Sequence, residues 1–275
     1  MNRTVVASLT LLIAGCTAAV AAPDSVSTPV AAPMPQGQRV LFDMGPAYFP
    51  GSLPAGETLV GAPPAAGTDA MSRDERLSAA GVALYGSERF KLAARDADLG
   101  PGGVPGAFSC TTGVTISDAT TPAIMHLLRR ADADFGTSTS GVKKLYNRAR
   151  PFTVNAKPTC TPDDEEALRH NGSYPSGHSA IGYGSGLLLA AVFPDHAAAL
   201  TRRGIEFGES RRVCNVHWES DIEAGRVFAA ATFARLQSDP TFREDLAKAQ
   251  AEAKTLTGAA APANCAAEAA ALAAG

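Results

Sequence analysis

The sequence predicts an all-α fold: a single helical-bundle domain reached through a Pro-rich N-terminal arm. Alanine, the best helix former and a poor strand residue, is abundant throughout, while aromatic residues make up only 6% of the chain. From Thr68 onward apolar residues recur at helical spacing, and no run shows the period-two alternation of a half-buried strand. At 275 residues and 45% hydrophobic content the chain is too long and too apolar to stay unfolded.

Met1-Asn2-Arg3 is a short basic start, Thr4 to Ile13 is mostly apolar and of signal-peptide length, and small residues follow. Residues 1–22 therefore read as an export signal cleaved after Ala21 or Ala22. Alternatively, Ile13-Ala14-Gly15-Cys16 resembles a bacterial lipobox, so that residues 1–15 would be a lipoprotein signal and Cys16 the lipidated N-terminus. The expected location is the periplasm, or the outer membrane if Cys16 is lipidated. Either route removes one of the five cysteines and leaves Cys110, Cys160, Cys214 and Cys265, an even set that suits an oxidising compartment.

Prolines from Pro23 to Pro64 make residues 23–67 an extended tether or wrapped arm. The domain proper spans 68–256. Met71 to Asp98 predicts two helices separated near Gly81 and Gly86, and Pro101 to Gly106 reads as a loop. A helix capped by Ser117 or Thr121 runs through Ile124, Leu127 and Leu128; another spans Ser140 to Arg150 and is stopped by Pro151. A polar loop covers Pro158 to Gly172. Helices follow at Ser179–Val192, Asp195–Cys214, Trp218–Gln237 and Pro240–Lys254, and residues 257–275 form an Ala-rich tail. After the leader the longest apolar run, Gly186 to Phe193, falls far short of the roughly 20 residues that cross a bilayer.

The 24 Lys and Arg against 27 Asp and Glu give a net charge of −3, which excludes a nucleic-acid partner bound through a global basic field. Any phosphate chemistry must be local, and three segments offer it. Lys143 and Arg150 are seven apart, which on a helix puts them about 20° apart on one stripe; Arg148 and Lys144 read as solvated surface. Gly172-Ser173-Tyr174-Pro175-Ser176-Gly177-His178 leads into an apolar helix whose unpaired N–H groups, with Gly177 for close approach, make an anion cradle. Gly182, Gly184 and Gly186 inside that helix read as close helix packing, since they do not fit G-x-G-x-x-G. Finally, Ser210-Arg211 precedes His217, and Asp221 lies four residues beyond it, a helical relation that lets a carboxylate fix an imidazole tautomer. Taken alone, the Lys/Arg stripe reads first as a solvated face and the His217–Asp221 pair as a helix-surface pair, and the Ser-Gly stretch also fits an ordinary turn and cap. His126, His170 and His196 have no comparable setting.

Together K-x6-R-P, P-S-G-H and S-R-x5-H-x3-D fix eleven residues in order: Lys143, Arg150, Pro151, Pro175 to His178, Ser210, Arg211, His217 and Asp221. This resembles the signature of the type 2 phosphatidic acid phosphatase superfamily, which also contains the vanadium haloperoxidases. The pieces Tyr146 to Phe152, Gly172 to His178 and Gly208 to Arg211 look more narrowly like the bacterial class A non-specific acid phosphatases, and the resemblance runs from about Arg73 to Lys254. Ser179 stands where that family commonly has Thr, and Asn147 where it often has Met; the arm, Cys110 and the Cys265 tail are additions.

The resemblance implies hydrolysis of small phosphomonoesters. Lys143, Arg150, Arg211, Ser176 and the Gly177 amide would hold the phosphoryl group, His217 oriented by Asp221 would be the nucleophile, and His178 the general acid. It implies no cofactor and no metal. Four cysteines allow three pairings; the resemblance implies Cys160–Cys214 and, with it, Cys110–Cys265. It leaves open whether the chain works as a homo-oligomer. A vanadate-dependent haloperoxidase would use the same segments but is usually much longer. A membrane lipid phosphatase needs spanning helices, a metal-dependent hydrolase would fail in chelator, and a phosphate-binding lipoprotein would need the cations but neither histidine.

Overall fold

The computed structural model describes Met1 and residues 42–49, 51, 53, 56–256 and 262–275; the leader, Cys16 and the first part of the arm lie outside the described residues. The described residues form helices and no strand beyond one isolated bridge between Phe42 and Leu99. In chain order they are α1 (Glu57–Val60), α2 (Asp69–Val82), α3 (Glu88–Arg95), α4 (Gly103–Thr112), α5 (Pro122–Ser138), α6 (Ser140–Tyr146) and α7 (Pro151–Asn155). There follow α8 (Glu165–Arg169), α9 (Gly177–Val192), α10 (Ala197–Val213), α11 (Glu219–Leu236), α12 (Pro240–Ala253) and α13 (Cys265–Ala273). No helix among the described residues is long and apolar enough to cross a membrane.

Helix α9 carries no charge from Ser179 to Val192, and a helix that is apolar all round belongs inside. It is accordingly the central element, packed by α5, α10 and α11. Its glycines set how close those neighbours come: Phe207 of α10 lies over Gly182 and Phe135 of α5 over Gly184. At Gly186 the α10 backbone itself is the neighbour, with the Leu200 carbonyl oxygen 2.8 Å from where a Cβ would stand. Phe135, Phe207 and Phe228 are fully buried around this helix. The side chains of Thr68, Ser87, Ser176 and Asp239 cap α2, α3, α9 and α12 by accepting a backbone N–H.

Five expectations need correction. The Pro101–Gly106 stretch is loop only to Gly102, because Gly102 in the left-handed region turns the chain into α4. Thr121 stands at the N-cap of α5, but neither it nor Ser117 caps the helix with its side chain; Thr121 Oγ1 bonds Ser117 N and O instead. The helix expected over Ser140–Arg150 ends at Tyr146, where Asn147 turns left-handed at φ 38°; Pro151 opens α7 instead of stopping a helix. Proline fits the first helical turn, where its missing N–H has no partner to lose. The polar stretch Pro158–Gly172 contains a 3-10 turn at Pro162–Asp164 and the short α8. His217 lies outside any helix, since α11 begins at Glu219.

The described part of the arm lies against the helices: Tyr48 and Phe49 donate their backbone N–H to Asp134 of α5, and Arg130 stacks on Tyr48. Disulfides join Cys110 to Cys265 and Cys160 to Cys214, with Cα separations of 5.3 and 4.7 Å. The first ties α13 to α4 and the second ties the polar segment before α8 to the end of α10.

Because the atom facing Gly186 is backbone and cannot swing away, Gly186→Ala should cost about 1–3 kcal/mol by overpacking. Gly106→Ala in α4, where an added Cβ meets nothing within 4 Å, should be neutral or stabilising. Thermal unfolding of the two variants checks this, and equal effects would refute the account of α9 packing.

Candidate active site

The three segments meet at the N-terminus of α9. Ser176 caps that helix: its Oγ accepts Ser179 N at 3.2 Å and the Ser179 hydroxyl at 2.9 Å, leaving its own proton free for an outside acceptor. Gly177 occupies the first helical position, where the N–H has no intrahelical partner and faces the positive end of the helix dipole. The Tyr174–Pro175 peptide just before is cis. Gly225 of α11 allows the close approach that holds this corner, since a Cβ there would collide with the Ser176 carbonyl oxygen.

Lys143 and Arg150 do converge, but not along one helix. Lys143, on α6, donates to the carbonyls of Gly172 and Pro175 at 2.8 Å each. Arg150, at the N-cap of α7, donates through Nε to Leu168 and Asn171 and through NH1 to Val216. Both cations are thus placed by backbone carbonyls, mostly of the loop before α9. Arg211 comes from the last turn of α10 and is 2% exposed; its Nε has no hydrogen-bond partner among the described residues. Its NH1 reaches only the Cys214 sulfur, at 3.9 Å.

His217 is buried between Arg150 and Asp221. Arg150 NH1 lies 3.1 Å from Nε2, and Asp221 Oδ2 lies 3.3 Å from Nδ1. A guanidinium only donates, so Nε2 is the acceptor and Nδ1 carries the proton toward the carboxylate. The relation is not the expected helical one. Asp221 is the third residue of α11 and reaches back over the helix start, where Oδ2 also accepts the Trp218 N–H at 2.9 Å. His178, half-buried in the first turn of α9, has Nε2 3.1 Å from the Ala97 carbonyl, which leaves Nδ1 as its free ring nitrogen. Ser210 does not join the cations; its hydroxyl donates to Asp96.

Burial first, and then neighbouring positive charge, dominates the ionisation of the site. Lys143 is pushed down to about 7 by burial and by Arg150. Arg211 is lowered to about 9 by burial and Arg150, and Arg150 to about 10 by burial. Burial and then Arg211 hold His178 well below its ordinary value, and burial, Arg150 and Lys143 do the same for His217.

The sequence reading missed Arg148, taken there for a solvated cation. It is nearly buried, pairs with Asp221 at 2.6 Å and Asp74 at 2.8 Å, and stacks toward Trp218. Asp74 of α2 was missed with it. Neither has a sequence signal beyond the charge itself, because the pairing spans more than seventy residues.

Residues 124–242 match the PAP2 superfamily, a span that takes in all eleven signature residues, and the chain belongs to that superfamily within its non-specific acid phosphatases. It is 43% identical over 193 residues to a non-specific acid phosphatase of Salmonella typhimurium, covering 69% of this chain and 77% of that one. It is 38% identical over 229 residues to a non-specific acid phosphatase of Providencia stuartii, covering 82% and 92%. An acid phosphatase of Zymomonas mobilis is 39% identical over 190 residues, covering 69% and 72%.

A bound dianion should offset the cations and lift His178 toward its protonated form. Imidazole 15N NMR should find His178 and His217 neutral in the free protein at about pH 6.5, with saturating inorganic phosphate raising the pKa of His178. A His178 that titrates at its ordinary value in the free protein would contradict this account.

Proposed function

We propose that the protein is an exported acid phosphatase that hydrolyses small phosphomonoesters through a phosphohistidine at His217, without a metal. The observation that carries this reading is the cluster of half-buried Lys143 with buried Arg150 and Arg211, converging with the start of α9 on a histidine whose Nε2 is an acceptor. The Arg211 Nε without a partner marks where an anion would complete the site.

On this reading the phosphoryl oxygens lie against Arg211, Lys143, the Ser176 hydroxyl and the Gly177 N–H. Arg150 shifts its NH1 from His217 to a phosphoryl oxygen and so frees the nucleophile. His217 Nε2 attacks phosphorus as the ester P–O bond breaks, with Nδ1–H held by Asp221 as the ring gains positive charge. His178 gives a proton from Nδ1 to the leaving alkoxide, then takes one from the water that splits the P–N bond and releases inorganic phosphate.

Cations occupy the places that metals take in two-metal phosphatases, and Asp221 is already engaged by Arg148, Trp218 N–H and His217. Export is supported by the leader at residues 1–22 and by two disulfides, which suit an oxidising compartment. The Pro-rich stretch 23–67 is assigned as the arm, 68–256 as the catalytic domain and 257–275 as the tail; lipidation at Cys16 would anchor the same domain.

Purified protein should hydrolyse p-nitrophenyl phosphate in excess chelator with a bell-shaped pH profile centred below neutral. His217→Ala should lose on the order of a thousandfold or more in kcat, and His178→Ala about a hundredfold. An alkaline quench should trap acid-labile, alkali-stable phosphoenzyme in the wild type and none in His217→Ala. Full turnover by His217→Ala would overturn the mechanism, and loss of activity in chelator would overturn metal independence.

A further inference from the structure

Asp221 is fully buried, and a buried carboxylate can hold its neighbour only if it stays ionised and correctly turned. Its Oδ2 faces His217 and the Trp218 N–H; its Oδ1 is closed off by Arg148 NH1 at 2.6 Å. The same NH1 donates to Ser220 Oγ at 2.8 Å. At the other fork of the guanidinium, NH2 donates to Asp74 Oδ2 at 2.8 Å, while Asp74 Oδ1 accepts Ser220 N at 2.9 Å. The Arg148 backbone is fixed too, because its carbonyl accepts Ser173 N–H at 2.8 Å from the loop before α9. The guanidinium is therefore held from α2, from the start of α11 and from its own segment, and it cannot turn toward the space where phosphate would lie without abandoning both carboxylates.

We propose that Arg148 is a positioning residue of the reaction: clamped by Asp74, it fixes Asp221 Oδ1 so that Oδ2 stays on His217 Nδ1–H and Nε2 stays unprotonated for attack. The inference rests on the His217 mechanism above. The charged and titratable groups that face Asp221 are Arg148, Lys143, Arg150, His217 and Tyr174, with Asp74 behind Arg148. Burial raises Asp221, and Arg148 is the strongest opposing influence. Removing Arg148 therefore lets Asp221 take up a proton at a higher pH, where it no longer accepts from His217. The acid limb of activity moves up, not down.

The test uses the full chain, with kcat and KM for p-nitrophenyl phosphate measured across pH beside thermal unfolding. Arg148→Gln should lose about tenfold to a hundredfold in kcat, as outer partners of an active group commonly do, with KM nearly unchanged and the acid limb displaced upward. Arg148→Lys, which keeps the charge without the fork, should regain part of the acid limb. Asp74→Asn, which loosens the clamp from behind, should move the limb the same way by less, and it carries the test if Arg148→Gln does not fold. A structural role alone would lower the melting temperature and scale activity with the folded fraction at every pH, and that result in either variant overturns the proposal. Turnover retained by a parallel His217→Ala variant would instead overturn the mechanism itself, so the two failures are told apart.

Discussion

One carboxylate with no access to water ties the site together. Asp221 takes Arg148 on one oxygen and His217 with the Trp218 N–H on the other, while its backbone carbonyl accepts Ser176 N–H at 2.9 Å. Burying an ion costs several kcal/mol unless such partners are supplied, and stripping one partner from a buried pair is strongly destabilising. The three signature segments, far apart in sequence, therefore cannot separate without orphaning either its carboxylate or its backbone carbonyl. The start of α9, the start of α11 and the segment before α7 are fixed relative to one another by a residue that need not touch substrate.

The opposite sign of charge is deliberately uncompensated. Burial first, and then mutual repulsion, depresses the ionisation of Lys143 and Arg211, and burial with the neighbouring cations does the same for both histidines. Lys143 and Arg150 are held in place by backbone carbonyls and not by carboxylates, and Arg211 has no carboxylate partner either. Carbonyl dipoles orient a cation without cancelling its charge. On the proposed mechanism, that difference would leave a positive field for an incoming anion in a chain whose net charge is −3, with the donors placed before the reaction begins.

The helices were legible because Ala-rich, 3.6-periodic segments with capping residues leave few alternatives, and α9, α10, α11 and α12 fall within a residue or two of expectation. The disulfide pairing implied by resemblance is the one the structure forms. Two arguments from spacing reached a convergence through geometry that does not exist. Lys143 and Arg150 meet across a break at Asn147, and His217 meets Asp221 across a helix cap. Proline marks a helix start as readily as a stop, so Pro151 alone cannot decide. Asn147 sits at a left-handed position that asparagine tolerates well. Arg148 was invisible because its partners are Asp74 and Asp221, and only tertiary structure brings them together.

The segments that look like additions to the family pattern still reach the chemistry. Glu268 of α13 bonds Arg203 Nε at 3.1 Å, and Arg203 clamps Asp96 through both terminal nitrogens. Asp96 in turn accepts the Ser210 hydroxyl, and the next residue, Ala97, supplies the carbonyl that holds His178. Ser210 thus belongs to the signature as a support: it ties the α10 turn that presents Arg211 to the loop that presents the acceptor for His178. The tail helix, fastened by Cys110–Cys265, closes that chain of contacts from outside. The turn that carries Arg211 and the loop that carries the acceptor of His178 are thus tied to one buried ion-pair network, which Glu268 completes from a segment whose composition alone reads as featureless alanine.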